Sequence, residues 1–591
     1  MASILYITGA DSEEELEEEE IERFYHLSTH PLSINKASRS RMLSSGLLTP
    51  YQVATILDYR QRKGEILSIL ELSVVHGFGK DVAEALAPFI IFENSGPPAH
   101  TKGDGKHDVS EELTTKASVR LNGSDGSAST KISEAMKYHI DVDQAWEFNL
   151  GLNNGTELKN EKWKNAGLGH SISLSYCSLW RGSKFSLNRI VVGDYNLRFG
   201  QGLAMWSGMG LSGLSNVTSF SRNPTGLNPY RSYSSAILYF SGKGYGQGET
   251  AQRGVACEMG FGRFALTASA SLQQYSRSGE FVSDFGLLPS LNLSYYGRNH
   301  QESVTAYLST GFDGHPEDAN LAADFRVGID GVDVFGESAL DLLSVKDMSR
   351  AVAFLVGTRF KAGERTTLAA LLRYYPDGYS AGLSGAARTS SRCTDEHGAS
   401  LAARFKSGEY RGSQLAHLLD LSVDGAWYPS KEHLQIKALA NYTWSITDTW
   451  TLAARLQYRH RNYDQRNRVE LRLDGGWKND SWLAKVRLHG VLGNALGGVF
   501  YAEGAYTGLR RPELALYLRA GAYHTEGWAD RIYVYERDAP GNFNVPALYG
   551  DGWWVSFYSS LKLSRLMKLG LRLSTTRIEK YDGRIQLSLL F

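Results

Sequence analysis

Apolar and polar residues alternate with period two over most of this chain, from about residue 116 to the C-terminus. In the last segment Ile585, Leu587, Leu589 and Phe591 share one face, while Arg584, Gln586 and Ser588 share the other. Upstream, Leu569, Leu571 and Leu573 oppose Gly570, Arg572 and Ser574, and Val469, Leu471 and Leu473 oppose Arg468, Glu470, Arg472 and Asp474. This periodicity predicts β-strands with one apolar and one polar face. The segments run to about nine to eleven residues, the length a tilted strand needs to cross a bilayer. A soluble sandwich would use shorter strands and bury its apolar faces against a second sheet. Aromatics gather where the segments end (Trp477, Trp482, Tyr501, Tyr506, Trp553, Trp554), as expected for girdles at the membrane interfaces. Counting segments gives roughly 20 to 26 strands, and an even number returns both ends of the chain to one side.

The front of the chain reads differently. Residues 32–90 carry apolar positions at helical spacing, interrupted by turn signals. Asn35 is the expected N-cap of a short helix carrying Met42 and Leu43. Thr49-Pro50 opens a second helix, with Val53, Ile56 and Leu57 on one face and Gly64 closing it. Ile69-Leu70-Glu71-Leu72 opens a third, and Gly77-Phe78-Gly79 turns the chain into a fourth that ends at Pro88. Ahead of these, residues 11–28 are dominated by glutamate and read as an acidic helical arm. The first ten residues, MASILYITGA, read as the remnant of a secretory signal with its small-residue cleavage site. Residues 93–115, with Pro-Pro, glycines and mixed charge, read as a linker.

Two resemblances follow from these residues. Ile34-Asn35-Lys36-Ala37-Ser38, Tyr59-Arg60 with Gly64, Glu71-Leu72 and Gly77-Phe78-Gly79 together resemble the tandem helix-hairpin-helix domain of ComEA-type competence DNA receptors. That resemblance implies that the Gly-hydrophobic-Gly turn offers backbone amides to a phosphate at a helix N-terminus. The residues implied are Gly77, Phe78, Gly79 and Lys80, with Gly46 in the first hairpin, where one of the two glycines is absent. Lys36, Arg39 and Arg41 would add charge. The alternating remainder, ending in the aromatic Phe591, resembles bacterial outer-membrane β-barrels, whose terminal strand is read by the outer-membrane assembly machinery. The combination resembles barrels of Bacteroidetes-type bacteria that carry such a module in the periplasm.

The expected architecture is therefore mainly β: a large antiparallel transmembrane β-barrel over 116–591. A small all-α helix-hairpin-helix domain over 29–92 precedes it.

Composition narrows the functions. Lys plus Arg and Asp plus Glu are equal at 63 each, so any basic surface is local. Between Asn35 and Phe92 there are seven Lys or Arg against five Asp or Glu, a weak surplus for binding phosphates. Cys177, Cys257 and Cys393 lie far apart, with neither metal-ligand spacing nor a disulfide framework. Gly200-Gln201-Gly202 lacks the Gly-Lys-Ser/Thr of a phosphate loop and reads as structural, an inward contact for a plug. Arg459, His460, Arg461 and Arg466 form a basic cluster whose orientation parity does not settle. No spacing supports a catalytic triad, an acid pair, a metal site or a cofactor, so an enzyme is not expected. The expected partners are outer-membrane lipid, DNA at the periplasmic module, or a periplasmic protein docked there. Two functions remain open: a channel whose module handles nucleic acid, as in DNA uptake, and a structural barrel whose module docks a protein or plugs the pore.

Overall fold

The computed structural model describes residues 2–8, 18–29, 31–93 and most of 109–591. Within that last span it leaves out 123–128, 160–161, 182–184, 208–213, 232–238, 242–243, 246–250, 278–279, 411–413, 465–466, 511–512 and 540–543. Positions 144, 298, 313, 330, 364, 565 and 578 are also outside the description. Twenty-four long strands close into one antiparallel barrel. Five run from Val109–Asn122 to Ser186–Arg198, sixteen from Gln252–Phe261 to Glu513–Thr525, and three from Gly550–Lys562 to Lys580–Leu590. The first strand pairs with the last, from Glu112 opposite Leu590 to Asn122 opposite Lys580. Phe591 and Glu111 exchange backbone hydrogen bonds at the end of this seam.

Closure assigns every alternate residue to one side. Leu401 (65% exposed), Leu488 and Leu518 point outward, while Asp424, Arg373, Arg519 and Glu503 are buried inside. An apolar exterior around a polar, charged interior inverts the pattern of a soluble protein and suits a bilayer. No helix among the described residues is long and apolar enough to cross a membrane.

Three expectations need correction here. The first strand opens at Val109, ahead of 116. Glu111 and Glu112 disguise its alternation, because Glu112 faces the lumen and Glu111 sits at the strand end, where Tyr138 Oη donates to it. Of the expected girdle, Trp482, Tyr506 and Trp553 do face outward, and the Trp482 and Tyr506 rings meet at a tilt, their centroids 4.7 Å apart. Trp554 and Tyr501 instead fall on the inward parity and are 1% exposed, packed edge to face within the lumen. Asn35 is not a cap: its side-chain amide is buried and exchanges two hydrogen bonds with the backbone of Ile66. Ser38 caps that helix in its place.

The front is a cluster of helices: α1 (Ala2–Thr8), α2 (Glu18–Thr29), α3 (Arg39–Ser44), α4 (Pro50–Lys63), α5 (Ile69–Ser73) and α6 (Gly79–Leu86). Thr49 and Gln52 form a full capping box ahead of α4, with Pro50 in its first turn. Ser68 caps α5, and Glu71 accepts from Leu67 N–H and Tyr59 Oη, which holds its carboxyl below the usual range. Phe24, Ile34, Met42, Val53, Ile56, Leu72 and Phe89 form one apolar core. That core takes in segments read from sequence as peripheral. Ile4 and Ile7, in the expected signal remnant, share a face of α1 and pack on it, and α1 lies against α6. The last turns of the expected acidic arm do the same through Phe24 and Leu27, so α2 is no solvated arm there.

Because Leu471 lies mid-strand on the outer face, Leu471→Arg should destabilise the barrel by about 2–4 kcal/mol. Thr451→Arg, on the inner face of the adjoining strand, should shift stability by less than about 0.5 kcal/mol. Urea unfolding in liposomes measures both, and equal losses would contradict the assignment of faces.

Candidate functional site: a lumen filled from both ends

Chain direction distinguishes the two barrel ends. One end holds short turns, such as those around 262–263 and 479–481, together with the start of the first strand and the end of the last. The other end holds the long connections 199–225, 376–395 and 526–549.

The described residues of all three fold inward. Leu203, Met205, Leu214, Val217 and Phe220 from the first meet Tyr379, Leu383 and Ala386 from the second in one buried cluster. Trp206 N–H donates to Leu383 carbonyl at 2.9 Å, and Tyr379 Oη donates to Leu203 carbonyl at 3.1 Å. The cluster rests on inward strand residues including Tyr195, Leu355 and Tyr375. The Gly200-Gln201-Gly202 turn is thus an internal contact, as expected. Its anion seat is occupied by protein. The Glu337 carboxylate accepts from the N–H groups of Gln201 (2.6 Å), Leu203 (3.0 Å) and Ala204 (3.1 Å).

The third connection, 526–549, is strapped down by ions. Arg519 donates to the Tyr535 carbonyl, and Arg537 pairs with Glu503 at 3.0 Å. Arg572 pairs with Glu536 at 2.8 Å, and Arg584 with Asp538 at 2.6 Å. Burial pushes the Glu536 and Asp538 carboxyls up, and these arginines oppose that push. A half-neutralised strap would leave buried arginines uncompensated, so the three ion pairs act together.

The helices enter from the short-turn end. On α3, the Arg41 guanidinium reaches Asp141 at 2.8 Å and Glu147 at 3.3 Å. Arg39 pairs with Glu258 at 3.3 Å and lies over the Tyr296 ring, 4.2 Å from its centroid. Leu43 lines a small cavity with Arg198, Phe199 and Gly200, so α3 reaches the inward-folded first connection. On the other flank Asp81 of α6 pairs with Lys406, and Lys568 lies over the Tyr25 ring. His26 stands between Glu112 (3.6 Å) and His139, whose ring it meets edge-on at 4.8 Å. Burial raises the phenols of Tyr6, Tyr25 and Tyr51, which face the barrel. Acidic barrel residues thus receive module arginines, and barrel lysines receive module acid and aromatic groups.

The residues proposed from sequence do not form one surface. Arg39 and Arg41 are engaged in the lumen, and Lys36 pairs with Glu93 at 2.8 Å. Phe78 is a core residue, 4% exposed. Gly77 has φ +86°, and a side chain there would come 2.7 Å from the Tyr51 ring. Gly77 carbonyl accepts from Gln52 Nε2 at 2.9 Å, which ties the two helical hairpins together. Gly46, at φ +64°, would strike Arg23 if it carried a side chain. Lys80 is exposed, and Gly79 has Lys361 Nζ 3.5 Å from where its Cβ would stand.

Of the basic cluster, Arg459 and Arg461 face the lumen, while His460 faces outward and meets Asn467 at 3.0 Å. Arg466 lies outside the described residues. The sequence reading missed the receiving carboxylates Asp141, Glu147 and Glu258. Their parity was the available signal, since each sits on an inward position near a short turn.

Removing both arginines of α3 takes a guanidinium from each of Asp141, Glu147 and Glu258, carboxylates 2–10% exposed of which Glu147 keeps Arg231 at 2.5 Å, a loss of about 2–5 kcal/mol of docking. In full-length protein, Arg39→Ala with Arg41→Ala should accelerate amide hydrogen exchange across α3 and leave the strand amides unchanged. Unaltered exchange in α3 would show that these pairs do not hold it.

No known family model matches the chain, and no curated protein does. Among solved structures it is similar to the P pilus usher PapC translocation pore, with 10% identity and a TM-score of 0.42. That likeness covers 82% of this chain and 99% of the usher pore. It is also similar to OccK7 of Pseudomonas aeruginosa, with 8% identity, a TM-score of 0.31, and 82% and 99% covered. The FrpB iron transporter of Neisseria meningitidis is a third, with 8% identity, a TM-score of 0.35, and 83% and 82% covered.

Proposed function

We propose that this chain is an outer-membrane channel held closed by its own N-terminal helices. The observation that carries this reading is the seating of Arg39 and Arg41 among Glu258, Asp141 and Glu147 inside the short-turn mouth. In it the short-turn end, with the helices and the terminal Phe591, faces the periplasm, and the long connections face outward. Phe591 is exposed at the end of the last strand, where assembly machinery would reach it. Opening requires the module to leave the mouth, either spontaneously or drawn off by a periplasmic partner. A partner that offers its own carboxylates to Arg39 and Arg41 would offset the cost of leaving these largely buried pairs.

Planar-bilayer recordings test this directly. The full chain should be mostly closed, and Arg39→Glu with Arg41→Glu should give sustained conductance. A wild-type chain that conducts continuously, or a variant as closed as wild type, would contradict it.

A second reading keeps nucleic acid as the module's ligand. It is supported by the turn Gly77–Lys80, where α6 begins with no side-chain cap and Lys80 is exposed. Such a turn offers amides to a phosphate. This reading expects salt-sensitive binding of duplex DNA by the full chain, lost in Gly77→Val with Lys80→Glu. Absence of binding at low salt would leave the module as a plug or a protein-docking piece.

A further inference from the structure

Toward the long-connection end of the barrel, the strands Pro316–Ile329 and Val332–Asp341 bring two carboxylates and an amide together on the lumen face. Asn320 stands directly opposite Asp341, and Asp318 lies diagonal to Asp341, two residues along the first strand. Asp318 and Asp341 are 3% exposed, and Asn320 is fully buried.

Every donor to these carboxylates is neutral. Tyr307 Oη (2.9 Å) and Gly382 N–H (2.8 Å) donate to one oxygen of Asp318, and Asn320 Nδ2 (3.0 Å) donates to the other. Leu343 N–H (2.9 Å) and Ser344 Oγ (2.8 Å) donate to Asp341. Among the described residues no Arg, Lys or His reaches either carboxylate. Buried carboxylates elsewhere in the lumen are treated differently: Glu503 meets Arg519, and Asp424 meets Arg373 at 2.9 Å. A buried charge without an opposite partner is costly.

The Asn320 amide shows where a positive charge fits. Its Nδ2 also donates to Tyr307 Oη (3.1 Å) and to the Ser380 carbonyl (2.8 Å). Those acceptors fix which end of the amide is nitrogen. Tyr307 stands opposite Asn320 on the other neighbouring strand, away from Asp341. Oδ1 is therefore turned toward Asp341, and it is buried with no hydrogen-bond partner. Such an orphaned buried oxygen calls for an explanation. An acceptor oxygen aimed at a carboxylate, with no protein donor to share, suits a cation between the two.

We propose that a hard divalent cation, calcium or magnesium, binds here. Asn320 Oδ1 and the Asp341 carboxylate are its direct ligands, water completes the shell, and Asp318 adds charge. The donors are all oxygen, the set such a cation takes. Among the described residues no three His, Cys, Asp or Glu side chains gather as metal ligands, so the affinity expected is modest, about 10⁻⁴ to 10⁻³ M. The cation ties two connections to the barrel wall. Asp341 opens the connection 342–351 and holds Leu343 and Ser344, while Asp318 and Asn320 hold Gly382 and Ser380 of 376–395. The two connections also meet outside the site, where Arg350 pairs with Asp377 at 2.9 Å. This end of the barrel is opposite the helices, so the site does not depend on whether the helical plug opens.

The test is amide hydrogen exchange of the full chain in detergent, titrated with calcium chloride and separately with magnesium chloride. One or both should slow exchange severalfold and saturably at Leu343 and Gly382, whose amides donate to the two carboxylates. Amides of the strand Asn467–Lys478, on a distant wall, should not respond. Asp341→Asn keeps the size of the side chain, removes the charged ligand, and should raise the midpoint of the titration about tenfold or more. Should that variant fail to fold, as judged by heat-modifiable gel mobility, the local and saturable response of the wild-type chain decides the matter. No response to either cation would show that the Asn320 oxygen is served by water alone, and would overturn the proposal. So would a response spread equally over the distant strand, or one unchanged by Asp341→Asn in a folded barrel.

Discussion

Pairing of the first strand, Val109–Asn122, with the last, Lys580–Leu590, fixes what every other strand does with its side chains. Once the sheet is closed, half of each strand must face lipid and half must face a lumen. Twenty-four strands enclose far more space than side chains alone can fill. The rest of the structure answers that requirement in three ways. Apolar loops pack it, charged pairs span it, and a helical module enters it from one mouth.

Charge makes these devices mutually dependent. Inward arginines and carboxylates cost free energy unless each meets an opposite partner. Some partners lie on the next strand, as Arg487 and Asp474 do. Others come from outside the sheet. Glu337 is met by the amides of Gln201, Leu203 and Ala204, Arg572 by Glu536, and Asp141 with Glu147 by Arg41. The helices therefore complete the barrel's electrostatics at the mouth they enter.

Much of the architecture was legible because period two survives any tertiary context. The strand faces read from Ile585, Leu587 and Leu589, or from Leu471 and Leu473, are the outward faces observed. Local caps were equally plain: Thr49-Pro50 and Gly64 bound α4 as expected. What failed was long range. Trp554 and Tyr501 look like girdle residues until parity is counted from the closed sheet, because an aromatic near a strand end is ambiguous between interface and lumen. Arg39 and Arg41 read as phosphate contacts because nothing local reveals carboxylates 100 to 219 positions away. Asn35 read as a cap, since no sequence window shows the Ile66 backbone it serves.

The central claim is that the helical module sits in the short-turn mouth of its own barrel. Zero-length carbodiimide coupling followed by peptide mass spectrometry tests it in the unmodified full chain within membranes. The ion pair between Asp81 of α6 and Lys406 of the barrel should yield an isopeptide-linked pair of peptides. Lys36 and Glu93, 2.8 Å apart within the front of the chain, serve as the internal control. Recovery of both links is the predicted result. Coupling of Lys36 to Glu93 without any link between Asp81 and Lys406 would mean that the module does not occupy the mouth.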